Sequence, residues 1–355
     1  MKLFIDMHVI QTVPPSCLNR DDTGSPKTAV YGGVRRARVS SQSWKRAMRQ
    51  MFNENFAERE LSYRTLKIFD LIADEILKIA PELNRETAIE KAKQVLEKVK
   101  VKSGKNEKTE ALFFLSSQQA KNLASLALGD ITDKDAEKLI KQALIDGKGV
   151  DLALFGRMVA SNQELNSDAS AQVAHAISTH HVENEYDYFT AVDDCSTEDH
   201  AGAGMIGTVE YNSATLYRYA TVAVHDLYNN LSNDSLAIEK AIKEFIRAFT
   251  LAIPSGKQNT FAAHTLPYAV MVTLRTCRPL NLVDAFETPI KSKDGFAISS
   301  VKALVEHAEK AYDNFCAKPE LCYVVGEELS TLGENLNFED LLNKVAKIAA
   351  EKVAI

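Results

Sequence analysis

Residues 31–50, YGGVRRARVSSQSWKRAMRQ, gather Arg35, Arg36, Arg38, Lys45, Arg46 and Arg49 with no carboxylate among them. Guanidinium forks and ammonium groups at that density suit phosphate oxygens. Ser40, Ser41 and Ser43 stand where a helix would begin, adding hydroxyls and free backbone amides at the positive end of a helix dipole. Gly32 and Gly33 would let a backbone come close to a polyanion. The competing reading is a solvated helix face, but such faces ordinarily mix signs, and this one carries no Glu or Asp. The balance favours contact with phosphate or nucleic acid.

Other candidate chemistry is weaker. His175, His180 and His181 lie near Glu183 and Glu185, but their spacing does not align ligands on one helical face, so no metal or other cofactor is expected. The stretch IPSGKQNT offers Gly256, Lys257 and Thr260, yet Leu251 stands where a nucleotide-binding loop needs its first glycine. It reads as a tight loop after a helix, with Lys257 free to meet a phosphate on a nearby polymer. The pairs Asp21–Asp22 and Asp193–Asp194 sit at turns, without a nucleophile, base and orienter beside them, and Cys17 reads as a small semi-buried residue. Tyr188, Phe189, Met205 and Ile206 either pack the root of a hairpin or form a wedge that stacks on unpaired bases.

The elements that must position these residues follow from composition and period. The chain has 355 residues, 45% hydrophobic and 25% charged, and a net charge of −6. Residues 1–50 hold nine Lys or Arg against three Asp, so the remainder carries −12 and the opening segment is a basic exception. No apolar run approaches the roughly 18 residues of a membrane span, and MKLFIDMHVI lacks a cleavage site, so a non-membrane, cytoplasmic protein is expected. Five scattered cysteines without CxxC spacing argue against disulfides and structural zinc.

Residues 2–10 alternate as a strand, with Leu3, Ile5, Met7 and Val9 on one face. Residues 11–33 hold too many Pro, Gly, Asn and Asp for a regular element and read as a long loop. VRRARVS suggests a short strand. In SSQSWKRAMRQMF, Trp44, Ala47, Met48 and Met51 form a buried helical stripe, which leaves Lys45 and Arg49 on a shared exposed face. Residues 60–180 read as predominantly helical, residues 182–216 as a projecting hairpin, and the second half returns to strand, long helix and strand before two further helices. The pattern is an α+β fold whose sheet is interrupted by insertions.

The segments PSCLNRDD, GGVRRARVSSQSWKRAMR, GRM at 156–158, AHAISTHHV, YFTAVDD, YRYA and GKQNTFAAH carry a specific resemblance. They resemble, in order, those of the CasC family, the backbone subunits of the type I-E CRISPR surveillance complex Cascade. The resemblance implies an RRM-like (ferredoxin-like) palm in residues 1–59 and 217–355, a helical fingers insertion at 60–181 and a β-hairpin thumb at 182–216. It implies a non-catalytic subunit that stacks head to tail with copies of itself along crRNA beside other Cascade subunits. Bases are displayed for pairing with target DNA, and cutting is left to a recruited helicase-nuclease. Arg20, Lys27, Ser40, Gln42, Lys45 and Arg49 match positions that approach crRNA phosphates and sugars. Met158, Tyr188, Phe189, Thr190, Val192 and Ile206 match base-contacting or wedge positions, although Tyr188 stands where the relative has Trp and the hairpin tip differs. The enzyme alternative is a backbone RNase using Asp21 or Asp22 on bound target RNA. Arg35, Arg36, Arg46 and Lys257 receive no role.

Overall fold

The computed structural model describes residues 2–104, 108–129, 133–191 and 205–354. Strand β1 (Phe4–Ser16) opens the chain, followed by β2 (Thr28–Tyr31), β3 (Val34–Val39) and helix α1 (Ser41–Asn55). Next come β4 (Ser62–Thr65), α2 (Ile68–Ile79), α3 (Arg85–Glu97), β5 (Phe113–Ser116), α4 (Ser117–Leu128), α5 (Asp133–Ile145) and α6 (Val150–Phe155). The chain returns through β6 (Ala171–Val173), β7 (Ala176–Ser178), β8 (Glu185–Ala191) and the long β9 (Met205–Ala223). It ends with α7 (Val224–Asn230), α8 (Ser235–Leu251), α9 (Gln258–Phe261), β10 (Ala269–Arg275), α10 (Ala297–Asn314), β11 (Leu321–Val325), β12 (Glu334–Asn335) and α11 (Phe338–Val353).

The large sheet runs β12-β11-β10-β1-β9-β7-β3-β2, and β6 and β8 also pair with β9. Neighbours are antiparallel except β11 and β12. The alternation along β1 places Ile5, Met7 and Val9 in one core with α1, α8 and α11. Ile10 on the opposite face joins a second core with Tyr217, Met271, Phe286 and the α10 residues Val301 and Leu304. A third core draws only on residues 68–165, so helices α2 to α5 bury their apolar faces against one another, while Val150, Ala153 and Leu154 of α6 join the first core.

Two expectations change. The breaker-rich stretch 11–33 is not all loop, since β1 continues across Pro14 and Pro15 to Ser16. The register against β9 shifts between Val13 and Ser16, and such an irregularity tolerates residues without an N–H. The helical stretch 60–180 also contains the paired strands β4 and β5, and β6 and β7 near its end. Strand β8 pairs antiparallel with the start of β9, and β9 continues from that pairing past residue 216 to the sheet centre as one strand.

Candidate nucleic-acid interface

Helix α1 begins at Ser40, whose Oγ accepts the Ser43 N–H at 3.3 Å while its own N–H donates to Asn19 Oδ1 at 2.9 Å. Ser40 is buried, and its hydroxyl oxygen caps the helix. Trp44, Ala47, Met48 and Phe52 dock α1 on the sheet, and the Arg218 guanidinium lies 3.8 Å from the centre of the Trp44 ring. That guanidinium donates to Gln11 Oε1 at 2.6 Å, and burial pushes its pKa down to about 9.

With that stripe buried, Gln42 and Arg46 are exposed, but Lys45 and Arg49 are half-buried, against the expectation of a shared exposed face. The inserted segment covers them. Lys45 Nζ lies 5.6 Å from the Phe155 ring centre, and burial lowers its pKa. Arg49 stacks 4.7 Å from Phe114, donates from Nε to Asp151 Oδ2 at 3.0 Å and from a terminal nitrogen to the Ser62 carbonyl at 3.1 Å. Asp151 in turn accepts the N–H of Ser62 at 2.8 Å and of Leu152 at 3.0 Å. One buried carboxylate therefore fixes the guanidinium, the start of β4 and the start of α6.

A groove of about 910 Å³ opens between α1 and this inserted wall. Gln42, Lys45, Arg46 and Arg49 line one side, and Arg64 on β4 faces them. Asp168 is the single carboxylate among its lining residues. The tripeptide Gly156–Met158 explains itself here. Gly156 has φ +73°, and a Cβ on it would stand 2.7 Å from the Ser167 carbonyl, so the turn requires glycine. The turn sends Arg157 inward, where it donates to the carbonyls of Leu165 (3.0 Å), Phe114 (3.1 Å) and Leu144 (2.9 Å), with its pKa pushed down by burial to about 10. Met158 then points outward at the groove, 81% exposed. An apolar side chain beside a row of cations suits a strand whose phosphates face α1 and whose bases face Met158.

The remaining expected residues lie elsewhere. Arg20 is exposed in a second cleft on the other side of α1. Burial, with Arg38 and then Lys27 nearby, lowers the pKa of His175, so Lys27 belongs to the β2–β3 side and lines neither cleft. On the hairpin, Tyr188 opposes Thr208 and Thr190 opposes Ile206, which puts Tyr188, Thr190 and Ile206 on one face. Tyr188 and Ile206 are 63% and 62% exposed there. Phe189 opposes Gly207 on the other face, and a Cβ at 207 would stand 2.5 Å from its ring. The wedge set is thus split between two faces. Val192, with the Asp193–Asp194 pair, lies outside the described residues.

Several basic-stretch residues are structural. Arg36 is fully buried and donates to the carbonyls of Tyr31 (3.1 Å), Ser178 (3.0 Å) and Phe286 (2.7 Å). Gly32 approaches the chain itself and not a ligand, since a Cβ there would stand 1.6 Å from the Glu287 carbonyl. Asp21 accepts the N–H groups of Thr23 (3.0 Å) and Ser25 (3.1 Å) and the Thr23 hydroxyl (2.7 Å), which holds its carboxyl below the usual range. His180 is buried, stacked on Phe296 and bonded to the His181 carbonyl at 2.7 Å. Among the described residues no helix is long and apolar enough to cross a membrane. Sequence reasoning missed Arg64 and Asp151, since neither lies in a charge run or motif.

Comparison with known proteins adds an independent line. A family model described as CT1975-like protein matches residues 5–347. A chain of a solved "CRISPR RNA-guided surveillance complex, pre-nicking" shares 33% identity and superposes with a TM-score of 0.84, covering 98% of this chain and 100% of that one. A chain of a "CRISPR RNA-guided surveillance complex" shares 29% identity at a TM-score of 0.64, covering 98% and 99%. No curated protein matches.

Proposed function

Because this chain belongs to the CT1975-like protein family, we propose that it is a backbone subunit of a CRISPR RNA-guided surveillance complex of type I-E, gripping crRNA independently of sequence. The observation that carries the reading is the groove in which Lys45, Arg46 and Arg49 of the palm helix face Arg64 and Met158 of the inserted segment. The strand order β10-β1-β9-β6, with α1 and α8 in the same core, supports an RRM-like palm of ferredoxin topology. The separate core of residues 68–165 supports a fingers domain at 60–181, and the β8–β9 hairpin supports a thumb. Copies stack head to tail along the RNA, and Tyr188, Thr190 and Ile206 present the thumb's apolar face to bases. Target DNA pairs with the displayed crRNA, and other Cascade subunits complete the assembly.

The role is non-catalytic in this reading. Asp21 gives one carboxylate oxygen, Oδ1, to the amides of its own loop, which supports a structural role in place of the RNase alternative. Complementary RNA incubated with the assembled complex and a divalent metal should stay intact, and periodic cleavage lost in Asp21→Ala or Asp22→Ala would reverse the assignment.

Assembly is tested by light scattering on the chain mixed with single-stranded RNA of increasing length, where the mass should rise in steps of one subunit. In the same buffer, Lys45→Ala with Arg49→Ala should lower the slope of log affinity against log salt by about 0.7 for each phosphate no longer neutralised. A constant mass and an unchanged slope would refute the proposal.

A further inference from the structure

The groove between α1 and the inserted wall holds one residue of the wrong sign. Asp168 is exposed among cations suited to phosphate, and a carboxylate there repels the polymer that the cations attract.

Its placement is fixed. Arg157 and Ser167 form an antiparallel bridge, exchanging N–H···O bonds of 2.9 and 2.8 Å. Both of these residues are buried, so the flanking Met158 and Asp168 lie on the opposite face, toward the groove that both line. Asn230 pins the backbone at this point, its Nδ2 donating to the Asp168 carbonyl at 3.3 Å and to Ser170 Oγ at 2.8 Å. The Asp168 carboxylate accepts no hydrogen bond from any of the described residues. Nearby Lys148 turns its Nζ to Asn230 Oδ1 instead, at 2.6 Å.

An ionised carboxylate can only accept hydrogen bonds. Phosphate and sugar-ring oxygens are acceptors too, so a nucleic-acid backbone offers it a single donor, the 2′-hydroxyl that RNA has and DNA lacks. We propose that Asp168 accepts a hydrogen bond from a ribose 2′-hydroxyl and thereby selects RNA over DNA in this groove. With phosphates on the α1 cations and a base on Met158, the sugar that joins them passes the wall that carries Asp168. Cations attract the phosphates of either polymer, so they supply grip without choice. Against a deoxyribose strand the Asp168 charge is repulsive only, and discrimination comes from that penalty as much as from the bond. The inference rests on the RNA-gripping reading of the groove and assigns its sugar selectivity.

Fluorescence anisotropy tests it with three labelled strands of equal length, each short enough for one copy of the chain: oligouridylate, its 2′-fluoro counterpart, which cannot donate, and oligodeoxyuridylate. The wild type should bind the RNA about tenfold more tightly than the 2′-fluoro strand, the size of one hydrogen bond to a charged acceptor. Asp168→Ala should erase most of that difference, chiefly by tightening the 2′-fluoro and deoxy complexes, and Asp168→Asn, which keeps a carbonyl acceptor, should retain part of it. Thermal melts matching the wild type establish that each variant is folded. A preference that survives in Asp168→Ala, a loss shared equally by all three strands, or no preference in the wild type overturns the proposal. So does a changed preference for oligouridylate over oligoadenylate that is equal in ribose and deoxyribose strands, which would put Asp168 on a base edge. If the 2′-hydroxyl preference depends on Asp168 while Lys45→Ala with Arg49→Ala leaves the salt slope intact, the sugar contact stands and the phosphate grip of α1 falls. The reverse result, a lower slope with the preference untouched in Asp168→Ala, keeps the grip and removes the sugar contact.

Discussion

Arg49 shows how a surface-looking cation becomes a fixed one. Its guanidinium is 27% exposed while the Asp151 carboxylate that holds it is 3% exposed, so the pair joins groove to interior. Burial pushes the Asp151 pKa up, and Arg49 and the Ser62 amide pull it back, leaving a net rise. Removing the carboxylate strands the Ser62 N–H and a half-buried guanidinium, so Asp151→Ala should cost about 2 kcal/mol, less than a fully buried pair because Arg49 still reaches water. Denaturant titration measures that. Function separates from stability in a double-mutant cycle on RNA affinity. Asp151→Asn should weaken binding in the wild-type background, because Arg49 loses its fixed orientation, and should have little effect in an Arg49→Ala background. Equal effects in both backgrounds would mean that Asp151 acts on the fold alone.

At the level of elements, the helix and the hairpin were legible in the sequence for different reasons. Trp44, Ala47 and Met48 recur at the helical period, and that period settles which face meets the sheet. It does not settle what covers the other face. Lys45 and Arg49 are half-buried because Phe114, Asp151 and Phe155 arrive from more than sixty positions away, and no local pattern announces that wall. The hairpin arms were readable from β-prone runs around a glycine-rich tip, but assignment to faces needed the register that sets Phe189 over Gly207. Ser40 marks the same limit, as a serine before a helix reads equally as cap or as phosphate ligand. The two roles differ in their response to aspartate. Ser40→Ala should cost about 1 kcal/mol of stability, and Ser40→Asp should recover most of it by capping in its place. If Ser40 also met phosphate, Ser40→Asp would recover stability yet lose RNA affinity. Affinity close to the wild type, measured beside the melting temperature, is the outcome expected of a hydroxyl turned into the cap.

Across the whole molecule, total charge was a poor guide because the cations that matter line two clefts in a chain of net charge −6. On the proposed function, a net negative chain with its cations gathered in clefts favours one polymer path over indiscriminate adsorption. The sheet that supports the track is buried on both faces, which puts His8 of β1 inside the molecule, sharing a 2.8 Å hydrogen bond with the Tyr217 hydroxyl. Alternation identified the strand but not the second covering layer, so nothing in MKLFIDMHVI marked His8 as buried. Desolvation, helped by the nearby Arg275, pushes its pKa from 6.5 down to about 3. The folded chain therefore refuses a proton that the unfolded chain accepts, and stability must fall as the pH drops below 6.5. One such group gives a slope of about 1.4 kcal/mol per pH unit, or about 2 kcal/mol lost by pH 5. Asp6 on the same face has a raised pKa and works in the opposite sense as it protonates. The difference between wild type and His8→Asn, followed by urea unfolding at a series of pH values, isolates the histidine. That difference should move in favour of His8→Asn by the same amount between pH 6.5 and 5, and a pH-independent difference would show that His8 titrates alike in both states.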